Sequence, residues 1–582
     1  MITLSYINKL NKKLKKQFGD NVEAREENEL LILSGKLSNW RDVVLAGTMS
    51  VKKNKYIGLV NDIQCREKSA PNRMPALSDV AVSGEKPDIL IIGGGVIGCA
   101  IARELSRYKL DIMLIEKEND LAMQTSGRND GIIHPGIDLK KSTQKYRYNS
   151  EGHRIFGDVC AELGVPFHRP GQYICFDNIF WKPVLYLTKP YWYLRGLKKV
   201  KVLGKQKLRE HEPSIAHSIS AALYFPTTGI VSPYALTIAY AENAVTNGAR
   251  VFLNTAAINM EVEDGIVKGV LTNRGKIRPR IVINAAGVFC EDIAKMAGDR
   301  FYSIHPRKGT SAVLDKKYTD SIVRTALSSF GTASTKKTHT KGGGIFRSAH
   351  GNALIGPDAV ETIEKEDFST TRGSISGTFH RQEHTVPSIS EEKIITYFSG
   401  TRASTYEEDF VVCKGKFTQN IVHAAGIQSP GLTSAPAIGK AVAKMAVELL
   451  GGEQVVGANE SFDPNHDEVP NLQAISIQER AELIARNPDY GVIICRCEEI
   501  SKGEILDALR RNIPCDTIDG VKRRVRPGMG RCQGSFCGPL VLDLIAREKH
   551  MLHTEIKKSG DGSNVLFDSL KQPREAGASY AK

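Results

Sequence analysis

Near the start of the chain, apolar positions recur at helical steps. Ile7, Leu10, Leu14 and Phe18 are spaced by 3, 4 and 4 residues with lysines between them, which predicts an amphipathic helix. After a Gly-Asp-Asn turn, Glu29 to Gly35 (ELLILSG) reads as a strand closing on a turn. Trp40 to Met49 predicts a second helix and Tyr56 to Ile63 a second strand, so residues 1–65 form a small α/β module. Residues 66–87 are a polar linker containing Pro71, Pro75 and Pro87. The pattern changes at Asp88. Ile89 to Ile92 is an unbroken apolar run, as expected of a strand buried on both faces of a parallel sheet. It enters a glycine turn, then a helical run (CAIARELSRYKL), then a second apolar strand, Asp111 to Ile115. The most apolar stretch, Ile89 to Ala102, is broken by three consecutive glycines. No apolar run approaches the roughly 18–20 residues that a membrane span requires.

The large region 88–450 ends at a Gly/Asn/Asp-rich stretch (GGEQVVGANESFDPNHDE), which opens a second linker, 451–489. A last compact unit spans 490–550. Residues 551–582, with scattered Lys, Gly and Ser, are expected to be a flexible tail.

Composition admits several globular cores: 582 residues, 41% hydrophobic and 25% charged. The N-terminal stretch has no apolar block or small-residue cleavage site, so no secretory signal is expected. In a reducing cytoplasm, two tight pairs among eleven cysteines point to metal or cluster ligation and not to disulfides. The net charge of +14 is dispersed and no nucleic-acid motif accompanies it. An anionic substrate, an anionic partner or an acidic membrane surface would each suit such a charge.

Gly93-Gly-Gly95-Val-Ile-Gly98 lies between the first strand and its helix, and Glu116 closes the second strand, completing a dinucleotide-binding βαβ fingerprint. Gly93 permits the tight turn, Gly95 lets the main chain approach a pyrophosphate, and Gly98 lets helix and strand pack closely. The carboxylate of Glu116 suits ribose hydroxyls and disfavours a 2′-phosphate, so NADP is not expected; the fingerprint leaves NAD and FAD open. Three further segments follow in order: Thr125-Ser126-Gly-Arg128-Asn129-Asp-Gly-Ile-Ile-His134-Pro-Gly; Val-Ile-Asn-Ala-Ala286-Gly287; and Ala-Ala-Gly426-Ile427-Gln-Ser-Pro-Gly431-Leu432-Thr433. Together they resemble the FAD-dependent family that includes D-amino-acid oxidase, flavin-linked glycerol-3-phosphate dehydrogenase and L-2-hydroxyglutarate dehydrogenase. The resemblance implies FAD, held by these residues. The third segment is then a turn and helix start closing over the flavin ring.

Cys495-Arg-Cys497 and, later, Cys532-Gln-Gly-Ser-Phe-Cys537 form a C-x-C…C-x4-C set. Four thiolates suit a [2Fe–2S] cluster; structural zinc also takes four cysteines, but in wider pairs. With the helical EEISKGEILDALRR and the run into CQGSFCGP, this unit resembles the BFD-like [2Fe–2S] domain fused to anaerobic glycerol-3-phosphate dehydrogenase A subunits. Cys515 reads as packing. Lys522, Arg523, Arg524, Arg526 and Arg531 crowd the intervening loop, where they would offset cluster charge or dock an acidic partner. The N-terminal module resembles the BON type through Leu33, Gly35, Val60, Asn61 and Ile63, which implies binding of lipid or another partner; a structural appendage is the alternative.

The implied fold class is α/β: a Rossmann-like FAD-binding domain with an inserted mixed-sheet substrate domain, a small N-terminal α/β module and a small, mostly helical [2Fe–2S] domain. The implied reaction is oxidation of a small anionic secondary alcohol, glycerol 3-phosphate first, with electrons exported through the cluster. A 2-hydroxy acid or amino acid dehydrogenase and a non-catalytic FAD-binding scaffold are the alternatives. His134 and His350 are candidate bases, and Arg347, Arg402 and Lys308 candidate anion clamps. Arg347 stands where the family has an apolar residue. Expected partners are an electron-acceptor protein or second flavoprotein subunit. The expected location is the cytoplasm, with peripheral contact at the inner membrane face through the N-terminal module.

Overall fold

The computed structural model describes residues 4–52, 55–178, 180–329 and 343–567. In it the first apolar stripe folds as α1 (Leu4–Phe18) and buries Ile7, Leu10, Leu14 and Phe18. The helix packs on a three-stranded sheet of β1 (Val22–Glu27), β2 (Leu30–Leu37) and β3 (Leu59–Cys65), with β2 central, antiparallel to β1 and parallel to β3. The crossover is α2 (Trp40–Ser50), capped by the Asn39 side chain, which accepts the Asp42 N–H. The apolar pattern missed β1. Within VEAREE only Val22 and Ala24 are buried, and the charged remainder protects the strand's open edge.

This module docks onto the next domain. Leu30, Ile32 and Val60 share a core with Val288, Phe301, Tyr302 and Ala403. At Gly58 the main chains touch: a Cβ there would lie 1.7 Å from the Phe301 carbonyl oxygen. The Asn61 N–H donates to Ser303 Oγ at 3.0 Å and its Nδ2 to Tyr406 OH at 2.8 Å. The expected linker 66–87 contains no helix or strand, yet it is held against the domain. Arg73 pairs with Glu118 and Glu366, and Val82 is fully buried.

The predicted βαβ unit forms as β4 (Ile89–Ile92), α3 (Val96–Leu105) and β5 (Ile112–Ile115). Their sheet runs 250–252, β5, β4, 281–284, 421–425, all parallel, with 411–414 antiparallel at the edge. Every position of β4 and β5 is buried, which is why neither alternates. A nine-stranded mixed sheet forms the inserted domain. One end of it carries a short helical hairpin, α4 (Trp181–Leu187) and α5 (Lys189–Leu194). Its two longest strands, β6 (Ile304–Leu314) and β7 (Ile394–Thr405), pair antiparallel with Arg307 opposite Arg402, Lys308 opposite Thr401 and Gly309 opposite Gly400. The chain then returns to the first sheet and enters α6 (Gly431–Leu449), whose Gly439 packs against the Ala100 carbonyl of α3.

The chain divides into two units, 1–467 and 468–582. The first half of the expected 451–489 linker therefore belongs to the first unit. Asn459 donates to the Ser106 carbonyl and His466 pairs with Glu242 at 2.7 Å. In the second unit a capping box, Ser476 with Glu479, starts a helix at Ile477 within the same linker. Beyond it, α7 (Lys502–Arg510), α8 (Ile518–Val525) and α9 (Gly538–Lys549) enclose Ile505, Leu509, Val521, Val541 and Ile545. Cys515 joins this core. The described part of the expected tail is packed: Ile556 is fully buried, and the Lys557 and Lys558 carbonyls accept from Ile518 and Asp519. Residues 568–582 lie outside the described residues.

Candidate functional site

The glycine turn is built by close approach. Gly93 has φ +118°, and a Cβ there would lie 2.5 Å from the Ala285 carbonyl oxygen. A Cβ on Gly98 would lie 2.0 Å from the Gly93 carbonyl oxygen. Gly95 is the N-cap of α3 and supplies no capping side chain, so the helix's positive end opens on the turn. Ser126 Oγ accepts the Val96 N–H at 2.9 Å. Glu116 accepts the Gly94 N–H at 2.6 Å and the Glu118 N–H at 2.9 Å. Burial pushes its carboxyl up to about 7 against these two bonds. A cradle that side chains would fill, a helix N-terminus and a partly open carboxylate fit the adenosine diphosphate half of FAD.

The second segment leads over this cradle to the inserted domain. Thr125 Oγ1 donates to the Thr401 carbonyl at 2.6 Å. The Arg128 guanidinium lies 4.0 Å from the Phe368 ring centroid, and Nε donates to the Met123 carbonyl. Asn129 ties the loop to itself: Nδ2 donates to the Thr125 and Ser126 carbonyls, and Oδ1 accepts the Gly131 N–H. The His134 N–H donates to Thr433 Oγ1 at 2.9 Å, so the loop reaches the start of α6. There Gly426 has φ +64° and Gly431 opens the helix after Pro430, which offers no side-chain cap, leaving the first turn around Leu432 and Thr433 as a donor surface. Across from it, Ala286 and Gly287 follow the 281–284 strand. A Cβ on Gly287 would meet nothing within 4 Å, so there is room beside it.

Strand register sorts the candidate clamps. Arg307 and Arg402 lie directly opposite each other on one face of β6 and β7, and Lys308 is on the other face. Half-buried Arg402 lies over Gly309, where a Cβ would lie 2.2 Å from its Nη2. Its Nη1 and Nη2 both donate to the Asp358 carbonyl, at 3.3 and 3.2 Å. Burial lowers its pKa, with the nearby Asp130 opposing; burial likewise raises Asp130, with Arg402 opposing. Lys308 does not join Arg402. Its Nζ is committed to Asp367 Oδ2 at 2.6 Å and Ser369 Oγ at 3.1 Å. Nor does Arg347, which forms an ion pair with exposed Asp320. The His350 ring stacks parallel to Tyr234, with centroids 6.4 Å apart.

Two features escaped the sequence reading. One is Asp130 beside Arg402. The other is a polar network on the same face: Arg307 donates to Glu361 and Glu408, Gln428 Nε2 to Glu408 at 2.7 Å, and Ser404 Oγ to Gln428 at 3.1 Å. Burial works against Glu408, but Arg307 and Lys145 hold its carboxyl down to about 2. The network fastens the turn at Ile427 to β6 and β7. No local pattern announces it, because its members come from four separated segments, around residues 307, 361, 404–408 and 428.

In the second unit Cys497 Sγ and Cys532 Sγ are 3.6 Å apart. The Cys537 thiol donates to Cys495 and draws it down to about 6. Main-chain N–H groups of Gly528 and Glu498 point at Cys495, and those of Gly534 and Phe536 at Cys532. Cys495 and Cys537 are buried while Cys497 is exposed. Four neighbouring sulfurs with N–H donors aimed at them fit a [2Fe–2S] cluster, with one edge toward solvent. The basic loop is partly structural: Arg526 pairs with buried Glu498 at 3.0 Å, and Arg524 donates to the Ile513 and Gly520 carbonyls.

A parallel sheet with this cradle, an inserted mixed-sheet domain and a four-cysteine module define a dinucleotide-dependent oxidoreductase with its own electron relay. A family model described as FAD dependent oxidoreductase matches residues 88–445, and one described as BFD-like [2Fe-2S] binding domain matches 493–547. The chain belongs to the FAD-dependent oxidoreductase family and carries an appended BFD-like domain, so its cofactors are FAD and a [2Fe–2S] cluster. It is 38% identical over 491 residues to a glycerol 3-phosphate dehydrogenase of Caloramator mitchellensis, covering 83% of this chain and 99% of that protein. It is 23% identical to the A subunit of the anaerobic glycerol-3-phosphate dehydrogenase of Escherichia coli K12, covering 80% of this chain and 88% of that protein. Among solved structures, the FAD-bound, dithionite-reduced L-alpha-glycerophosphate oxidase of Mycoplasma pneumoniae superposes with TM-score 0.60 and 27% identity, covering 67% of this chain and all of that one. No helix among the described residues is long and apolar enough to cross a membrane.

Proposed function

We propose that the chain oxidises glycerol 3-phosphate and exports the electrons through its cluster to a partner. The observation that carries this reading is Arg402, a half-buried guanidinium whose two Nη atoms both reach the Asp358 main-chain carbonyl. A half-buried guanidinium bonded to one carbonyl, with Asp130 as a nearby opposing charge, suits a small anion. Its placement beside the loop that carries Asp130 and His134 supports a phosphate held at Arg402 with the adjoining hydroxyl near that loop. FAD held at the Gly93–Gly98 cradle would supply a hydride acceptor for the alcohol carbon, and a cluster held by Cys495, Cys497, Cys532 and Cys537 would supply one-electron export. His134 takes the hydroxyl proton, its loop held to α6 by the bond to Thr433. The same anion site also admits a 2-hydroxy acid, which is the second reading.

The solvent-facing edge at Cys497 supports electron exit to an acceptor protein or second flavoprotein subunit. The resemblance to A subunits supports the same. A peripheral contact of residues 1–65 with an acidic membrane face is supported by charge: Lys9, Lys12, Lys13 and Lys16 are exposed on α1. The apolar stripe of α1 is spent on the module's own core, so a contact there is electrostatic and salt-sensitive.

Anaerobic titration of the holoenzyme tests the substrate. Glycerol 3-phosphate is expected to bleach the flavin absorbance, with 2-hydroxyglutarate and amino acids inert. Bleaching by a hydroxy acid alone supports the second reading, and none by any substrate supports a scaffold.

A further inference from the structure

The α4–α5 hairpin exposes apolar side chains that the fold does not need outside. Its inner face is complete: Leu185 and Trp192 are buried in a core with Phe176, Val202 and Phe225, and Trp192 meets Phe225 edge-on at 5.2 Å. Its outer face nonetheless presents Phe180, Trp181, Leu187, Tyr191, Tyr193 and Leu194, with Leu187 80%, Phe180 78% and Leu194 75% exposed. A short helix pair apolar on both faces ordinarily lies inside a protein, so this outer face has something to cover it. Along the sequence, between Asp177 and Glu210, its charge is one-sided. Every charged residue from Asn178 to Arg209 is Lys or Arg, among them Lys182, Lys189, Lys198 and Lys199.

We propose that this hairpin seats the enzyme on the surface of an anionic lipid bilayer, with Phe180, Leu187 and Leu194 entering the acyl boundary. The composition identifies the occupant. Trp and Tyr favour the headgroup level, Phe and Leu the acyl boundary, and the lysines carried within the segment are attracted to anionic headgroups. An acidic protein surface would account for the lysines but not for the large aliphatic tips. The hairpin is fixed to the domain and is not a loose loop: Arg195 donates to the Gly136 and Leu139 carbonyls, just past His134, and Lys141 to the Leu194 carbonyl. The docking surface therefore stands on the chain that carries the candidate base. It is separate from the lysine face of α1 and does not depend on which substrate is oxidised.

The test uses full-length holoenzyme with vesicles of phosphatidylcholine, with and without phosphatidylglycerol, at low and high salt. Flotation with phosphatidylglycerol vesicles is expected, together with quenching of tryptophan emission by brominated acyl chains. W181F should remove most of that quenching, since Trp40 and Trp192 lie away from the outer face. The triple variant F180S/L187S/L194S should lower partitioning by about tenfold or more. It should keep flavin content and turnover with a soluble dye acceptor, since these tips are exposed and touch no cofactor segment. K9Q/K12Q/K13Q/K16Q should still be quenched. The proposal is overturned if wild type does not float. It is equally overturned by unquenched, salt-sensitive binding, as a purely electrostatic contact would give, or by wild-type partitioning of the triple serine variant.

Discussion

We propose that Glu116 links flavin binding to pH. Its carboxyl sits near 7, against 4.5 for an ordinary glutamate, because burial outweighs the bonds from Gly94 and Glu118. Below the unfolded value the group is neutral in both folded and unfolded chains. Between 4.5 and 7 the unfolded chain ionises and the folded apoprotein does not. Apoprotein stability therefore falls as pH rises through that window, by at most about 3 kcal/mol, since the carboxylate keeps part of its surface open to the cradle. Ribose hydroxyls are donors and favour the ionised form, so FAD binding draws on the ionised fraction. That fraction rises from about 1% at pH 5 to about half at pH 7, and the FAD dissociation constant should tighten by about 50-fold over this range before levelling. Fluorescence titration of apoprotein with FAD at half-unit pH steps measures it. E116Q, which cannot ionise, should show weaker binding with little slope. A flat wild-type profile, or the same slope in E116Q, would refute the assignment of Glu116 to the ribose.

Replacing Arg402 by Gln should raise the KM for glycerol 3-phosphate roughly 10- to 100-fold, the worth of charge-assisted bonds to a phosphate, with flavin content unchanged. K308Q should instead cost stability by freeing Asp367, with KM near wild type; steady-state kinetics of the two variants side by side tests the face assignment. C532S should lose iron and acid-labile sulfide while retaining FAD, and unchanged iron content would exclude Cys532 as a ligand. Gly58→Ala drives a Cβ into the Phe301 carbonyl and should destabilise the docked module by about 1–3 kcal/mol or more, seen as faster proteolysis ahead of residue 88. Cleavage at the wild-type rate would mean that the contact does not hold the module.

Local chemistry was legible in the chain itself. The turn at Gly93, the packing at Gly98 and the carboxylate at Glu116 act over one βαβ unit, and steric demands at that range are written as residue type and spacing. The same holds for Cys495, Cys497, Cys532 and Cys537, whose pairs sit on two tight turns, and for the stripe from Ile7 to Phe18. Which of the candidate cations share a strand face with Asp130's neighbour Arg402, and which do not, was not legible. Arg347, Lys308 and Arg402 looked alike as basic residues near flavin-family segments. The pairing of β6 with β7, strands separated by about eighty residues, put Arg402 on one face and Lys308 on the other, and Asp320 engaged Arg347. A one-residue shift of register would reverse that choice. The docked N-terminal module, the bound segments 66–87 and 551–567, and the outward apolar face of α4 and α5 have the same origin. Each depends on which surfaces meet, a property of long-range packing that composition and periodicity do not carry.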